Sequence, residues 1–146
     1  MTYAFTSEQL EWLDALESGK YEQGKTFLNK NNKFCCLGVA CDLFAEKLGL
    51  VIENDDGIIG YANKVEDQSQ RWESDYTSTT LPKPIMELLK IRDNCGEFIN
   101  KTVIASKNDY GTMSYGSLAG MNDSGNFSFK DIAEYIRNNP ENVFKA

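Results

Sequence analysis

Histidine is absent from all 146 residues of this chain. That removes Ser-His and Cys-His nucleophilic catalysis, imidazole acid–base work and most zinc catalysis in one step. Arginine is scarce, occurring only as Arg71, Arg92 and Arg137. No basic stripe of the kind that neutralises nucleic-acid phosphates is visible. No run comes near the ~18 apolar residues that a membrane-spanning helix needs. The start, Met1-Thr2-Tyr3-Ala4-Phe5, lacks the pattern of a signal peptide. A cytosolic protein is therefore expected, without nucleic-acid or membrane partners. In that compartment Cys35, Cys36, Cys41 and Cys95 are expected to be reduced, buried thiols rather than a disulfide framework.

The remaining composition is that of an ordinary globular domain, with 41% apolar and 25% charged residues. A chain of this length suits one domain, residues 1–146, and buries roughly two-thirds of its unfolded surface without needing a disulfide or metal. Its net charge of −7, from 22 acidic and 15 basic residues, is scattered and reads as solubilising.

Periodicity predicts a first helix capped by Thr6 or Ser7, with Gln9 completing a capping box. Leu10, Trp12, Leu13 and Leu16 form its apolar stripe, and Gly19 closes it. An extended piece over 25–28 and a polar turn over 29–33 precede a second helix, about 34–48, apolar on nearly every side and so central. Gly38 inside that helix implies close approach of another backbone. Residues 50–52 and 58–61 read as a β-hairpin around a 53–57 turn. A variable polar stretch covers about 62–80, and a third helix spans about 85–91. A strand is expected over 101–105, a Gly/Tyr/Ser loop over 106–116 and a short helix over 117–121. A turn over 122–126 leads to a final helix capped by Ser128 with Asp131. The fold class is α+β, a single domain with four to five helices and a small antiparallel sheet.

One formal motif needs a ruling. Gly19 to Thr26 (GKYEQGKT) fits the P-loop pattern G-x-x-x-x-G-K-[ST] through Gly19, Gly24, Lys25 and Thr26. A working P-loop has a strand before it and a helix after it, so that amides at the helix start cradle phosphate. Here a helix leads in and no helix follows, so a helix cap and turn is the better reading. The Cys35-Cys36…Cys41 cluster lacks the paired spacing of a zinc site. Cys35 or Cys36 as a nucleophile would have no histidine beside it. Asp42 is an acid within the apolar run of the second helix, expected either to face solvent or to pair with a neighbour. The 122–126 turn lacks the downstream glutamate of an EF-hand loop. The terminal helix pair is too acidic to dock as a helix-turn-helix.

The polar stretch and the tyrosine loop remain as sites. Long connections in small domains are often functional. Arg71, Trp72, Tyr76, Tyr110 and Tyr115 would offer stacking faces and a guanidinium to a nucleotide or other planar ligand. Asn122 and Asp123 complete the candidate ligand-binding set, with no catalytic residue, metal or cofactor assigned.

Three segments, Ala15 to Gly24, Phe34 to Leu43, and Leu118 to Gly125 running into Phe129 to Ala133, occur together in this order. With them the chain resembles a family of small phage and prophage proteins carrying an ALxSGKYxQG … FCCLGVxCDL … LAxxNDxG signature. The resemblance implies an accessory phage protein acting in the bacterial host cytosol, and it carries no catalytic residue with it. The resulting expectation is a phage-encoded, non-catalytic binding protein. It would blunt a host defence response by sequestering a small nucleotide-type ligand or by occupying a host protein. A homo-oligomer with sites between subunits is compatible with that role. The alternative is a small metal-dependent enzyme acting on a nucleotide through Asp42, Asp123 or the P-loop-like segment. A nucleic-acid-binding regulator built on the terminal helices is a third reading, opposed by the net charge.

Overall fold

Thr6 begins the first helix as the sequence predicts. Its hydroxyl accepts from the Gln9 amide at 3.1 Å, and Gln9 Oε1 accepts from the Thr6 amide at 2.9 Å. The computed structural model describes residues 3–63, 76–99, 104–105, 114–124 and 127–145, with 104–105 and 114–115 as backbone only. In chain order the elements are α1 (Ser7–Glu17), β1 (Glu22–Gln23), β2 (Asn29–Lys30), β3 (Lys33–Phe34), α2 (Cys36–Phe44), β4 (Val51–Asp55) and β5 (Ile58–Ala62). They continue as α3 (Lys83–Leu89), β6 (Ile104–Ala105), β7 (Ser114–Tyr115), α4 (Leu118–Asp123), α5 (Phe129–Asn138) and α6 (Pro140–Val143).

The fold is a single α+β unit with six helices and a five-stranded sheet ordered β1-β3-β2-β5-β4. The sheet is mixed, because β1 pairs with β3 in parallel while its other pairs are antiparallel. β6 and β7 form a separate antiparallel pair. Both central hairpins close with two-residue turns whose residues have positive φ. These are Asn31 (53°) with Asn32 (64°), and Asp56 (55°) with Gly57 (90°). Such turns match the natural twist of paired strands. They explain why the expected polar turn at 29–33 is itself a hairpin, and why β4–β5 pairing extends to Asp55 instead of stopping near residue 52. The two turns adjoin, since the Asn31 amide donates to the Gly57 carbonyl at 2.8 Å.

α2 lies at the centre, against α1, α3, α4 and β3. It starts at Cys36 rather than Phe34, because Phe34 belongs to β3 and Cys35 is the cap. Gly38 performs the role its sequence position implies, since a Cβ there would run into the Leu28 main chain. Trp12, wholly buried, donates its indole N–H to the Cys36 carbonyl at 3.0 Å and ties α1 to the start of α2. The α1 stripe differs from expectation at one position: Leu10 is 38% exposed while Gln9 is fully buried. Gln9 tolerates burial because its oxygen caps the helix and its amide donates to the Leu89 carbonyl at 2.9 Å. On α5 the expected inner face, Phe129, Ile132, Ala133 and Ile136, is buried, and the Ser128–Asp131 capping box is present.

Candidate functional site

Three distant stretches of the chain, 15–24, 34–43 and 118–123, meet at one side chain. Asn122, in the last turn of α4, is 1% exposed. Its Oδ1 accepts from Gln23 Nε2 at 2.8 Å and from the Cys36 amide at 3.2 Å. Its Nδ2 donates to the Gly24 carbonyl at 2.9 Å and to Asp123 Oδ1 at 2.9 Å. Asp123 Oδ1 also accepts from the Thr26 amide at 2.9 Å. The helix at 118–123 thus holds residues expected to form a loose turn, and it aims them at the 19–26 segment and the start of α2. With both ends of its amide used inside the protein, Asn122 acts as a structural lock. Asp123, half-buried, fixes the loop around Thr26 from the same helix.

That lock also defines the P-loop-like segment. α1 leads in, Gly19 adopts φ 77° just past its end, and Glu22–Gln23 is an edge strand. The next helix along the chain, α2, follows β3 and is capped by Cys35, whose sulfur accepts from the Gly38 amide at 3.3 Å. Gly19, Gly24, Lys25 and Thr26 therefore do not surround a strand-to-helix phosphate loop.

Cys35, Cys36 and Cys41 are buried and unpaired, whereas Cys95 is half-buried. Burial pushes the Cys35 thiol up to about 11 and the Cys36 and Cys41 thiols well above their ordinary value. These groups are small hydrophobes in a core, the opposite of an activated thiolate. Among the described residues, no group of three or more Cys, Asp or Glu is gathered to hold a metal ion. Asp42 is exposed and accepts from Tyr21 Oη at 2.7 Å. Burial, reinforced by that bond, raises the Tyr21 phenol to about 12.

Of the aromatic candidates, Arg71, Trp72 and Tyr110 lie outside the described residues, and Tyr115 is placed only as backbone in β7. Tyr76 is half-buried with its ring packed over Gly60, where any Cβ would collide with it. Its role is to cover one face of β5.

A cleft of about 490 Å³ opens beside this region, within the usual range for small-ligand sites. One wall is the segment from Thr77 to Lys83 with Met86 of α3, the other is Arg92-Asp93-Asn94, and Asn63 stands at the margin. Its frame is fixed. Thr77 exchanges two backbone hydrogen bonds with Tyr61 at 2.8 and 2.9 Å, and the Leu81 amide donates to the Asn94 carbonyl at 2.8 Å. The Thr77 hydroxyl contacts Thr80 Oγ1 at 2.7 Å, closing the turn between them.

The charged groups of the cleft are distinctive in an acidic chain. Arg92 Nη1 donates to the Phe98 carbonyl at 3.3 Å. Among the described residues, neither Lys83 nor Arg92 has a carboxylate in ion-pair contact, whereas Arg137 contacts both Asp14 and Glu17. Asp93 turns Oδ1 toward the Cys95 amide (3.0 Å) and the Glu97 amide (2.9 Å). Burial works to raise its carboxyl, but those amides outweigh it and hold the group below its ordinary value. Sequence reasoning passed over Lys83, Arg92, Asp93 and Asn94. The available signals were the rarity of arginine and the turn-forming run directly after a helix.

Among the described residues, no helix is long and apolar enough to cross a membrane. No curated protein and no solved structure matches the chain. A family model described as a domain of unknown function (DUF8296) matches residues 7–140, a span that contains both the Asn122 lock and the cleft. The chain belongs to that DUF8296 family.

Proposed function

We propose that this chain is a non-catalytic binding protein that holds a small, phosphate-bearing ligand of nucleotide type in the cleft between Thr77–Lys83 and Arg92–Asn94. One observation carries the reading: among the described residues, Lys83 and Arg92 line the same cleft without a carboxylate in ion-pair contact, in a chain of net charge −7. Two such cations beside an apolar wall of Leu81, Pro82 and Met86 suit an anion attached to a flat or greasy body. Binding is favoured over turnover because the thiols are buried and protonated, and the chain has no histidine. The resemblance to phage and prophage proteins supplies a setting in which withholding a host signalling nucleotide would blunt a defence response.

Thermal unfolding against nucleoside phosphates, cyclic dinucleotides and ADP-ribose-type molecules tests the reading. A ligand at a hundred times its dissociation constant adds about 2.7 kcal/mol, a shift of several degrees. The expected result is a shift with at least one phosphate ligand, lost in the Lys83→Ala/Arg92→Ala double variant, with the ligand recovered unaltered. A shift that survives in the double variant overturns the site, and a chemically changed ligand overturns the non-catalytic reading. Silence across the whole panel overturns the small-ligand reading and leaves a host protein as the partner to seek.

A further inference from the structure

Charge is unevenly spread along this acidic chain. Between Glu17 and Asp42 the only acid is Glu22, whereas Lys20, Lys25, Lys30 and Lys33 all lie there and are all exposed. That stretch carries net +3, so the remainder of the chain carries −10. The fold concentrates the cations further. Lys30 of β2 and Lys33 of β3 are direct cross-strand partners on the same open face of the sheet. Like charges in that relation destabilise a strand pair. Lys33 has Glu22 at 3.8 Å, but Lys30 lies over the Phe27 ring, 5.2 Å from its centroid. On its other side Lys30 meets Ile58, and Asp55 in the same row stands two strands away, about 10 Å. The loop that leads into β2 is also held at a cost. Thr26 is β-branched yet has φ 71°, and the Phe27 amide donates across it to the Lys25 carbonyl at 2.8 Å. Three-residue turns of that hand are rare and strained. Asp123 holds the turn through the Thr26 amide, and the Asn31 bond to Gly57 fixes the far end of the hairpin. Gly24 packs so closely on Lys33 that a Cβ there would lie 2.9 Å from the lysine Cβ, which brings Lys25 to the same corner. Repulsion and strain kept rigidly on an open surface mark a place shaped for recognition rather than for stability.

We propose that this corner, Lys30 and Lys33 with Lys25 and Phe27 beside them, docks a short acidic segment of a partner protein. The corner shares no residue with the cleft. A partner carboxylate set between Lys30 and Lys33 turns their mutual repulsion into a shared attraction. A nucleic acid suits the corner less well. It offers no arginine fork for phosphate, and the Phe27 ring is covered by Lys30 rather than open to a base. A long polyanion would also run on into the −10 remainder of the chain, whereas a short acidic segment would not.

NMR titration of the full chain with a synthetic peptide of alternating glutamate and serine, at physiological salt, tests this. Amide shifts are expected to centre on residues 24–34 and to be absent with the glutamine–serine analogue. Lys30→Gln/Lys33→Gln should weaken the peptide about tenfold. Its unfolding midpoint should stay level or rise, because a repelling pair is gone. Lys47→Gln/Lys145→Gln removes the same charge from exposed sites elsewhere and should leave the affinity nearly unchanged. Equal weakening in both double variants would mean that only the overall field acts, and would overturn the docking surface. So would a peptide that does not bind, or shifts centred on other cations. A lowered midpoint in Lys30→Gln/Lys33→Gln would give the pair a role in the fold instead and overturn it as well. Tighter binding of a single-stranded oligonucleotide of equal charge would assign the corner to nucleic acid. Self-association without peptide that disappears in the same variant would assign it to a second copy of the chain. Either result overturns the acidic-segment proposal.

Discussion

Asn122 and Cys36 lie 86 residues apart in the chain, yet Asn122 Oδ1 accepts the Cys36 amide hydrogen at 3.2 Å. The Cys36 N–H belongs to the first turn of α2, where a helix leaves its amides without internal partners. Asn122 satisfies one of these orphans from α4 and uses its other contacts to hold Gln23 and Gly24 in place. A buried polar network whose members are all satisfied fixes one arrangement of a core, because any slip strands a donor or acceptor away from water.

Replacing Asn122 with alanine leaves the Cys36 amide and the Gly24 carbonyl unpartnered. The expected cost is about 3 kcal/mol, and the unfolding midpoint should fall by on the order of 10 °C. Asn122→Asp keeps the acceptor but puts a second carboxylate against Asp123, so it should be at least as damaging at neutral pH. Urea unfolding of both variants checks this. An alanine variant as stable as the parent would remove the lock from the account.

Gly38→Ala adds a single methyl group, and that methyl meets the main chain of Leu28, which a side-chain rotation cannot relieve. Overpacking of a tight core costs about 1–3 kcal/mol, and a backbone obstacle places this change at the upper end. Thermal unfolding beside a control such as Gly19→Ala separates the two causes. Gly19 has open space around it and is strained only through its φ of 77°.

Local signals were the most legible part of this molecule. Both capping boxes, the Gly38 close approach and the buried face of α5 follow from spacing alone. The turns were harder, since Asn31-Asn32 and Asp56-Gly57 set strand register only after their positive φ values are known. Asn122 and Asp123 read from the sequence as part of a turn and as ligand-binding candidates, whereas the partners that hold them, Gln23, Cys36, Gly24 and Thr26, come from distant segments. The cleft was illegible because Thr77–Lys83 and Arg92–Asn94 carry no motif. What joins them is the bond from the Leu81 amide to the Asn94 carbonyl, which no pattern of residue types announces.

Arg137 joins α5 to α1 through Glu17, with Nε at 3.1 Å and Nη2 at 2.7 Å, and through Asp14 at 3.0 Å. All three side chains are a third or more open to solvent, at 33%, 37% and 74%, so the attraction is screened. Arg137→Ala is expected to cost only about 0.5–1 kcal/mol, and the loss should shrink further in 0.5 M salt. Unfolding midpoints at two salt concentrations check it. A large loss that ignores salt would mean that the aliphatic stem, rather than the charge, does the holding.

The buried thiols give stability a defined response to alkali. Cys35, Cys36 and Cys41 all have folded-state values raised by burial above the ordinary 9.0. Below that value both folded and unfolded chains keep the thiol protons, and the contribution to stability is complete. Above it the unfolded chain releases them while the folded chain does not, so stability falls as pH rises; for Cys35 the loss runs to about 11. Each such thiol contributes a slope of about 1.4 kcal/mol per pH unit, and three together about 4 kcal/mol per unit. Urea unfolding under reducing conditions should show a flat midpoint up to about pH 8.5 and a steep decline between pH 9 and 10. Tyr21, which burial and Asp42 raise from its ordinary 10.0 to about 12, adds its own linked loss only above 10.0, beyond that window. Cys41→Ala lowers stability at neutral pH by leaving a small cavity, but it should also make the alkaline decline shallower by about a third, because one of the three linked protons is gone. A decline of unchanged steepness in that variant would assign the alkaline transition to other groups.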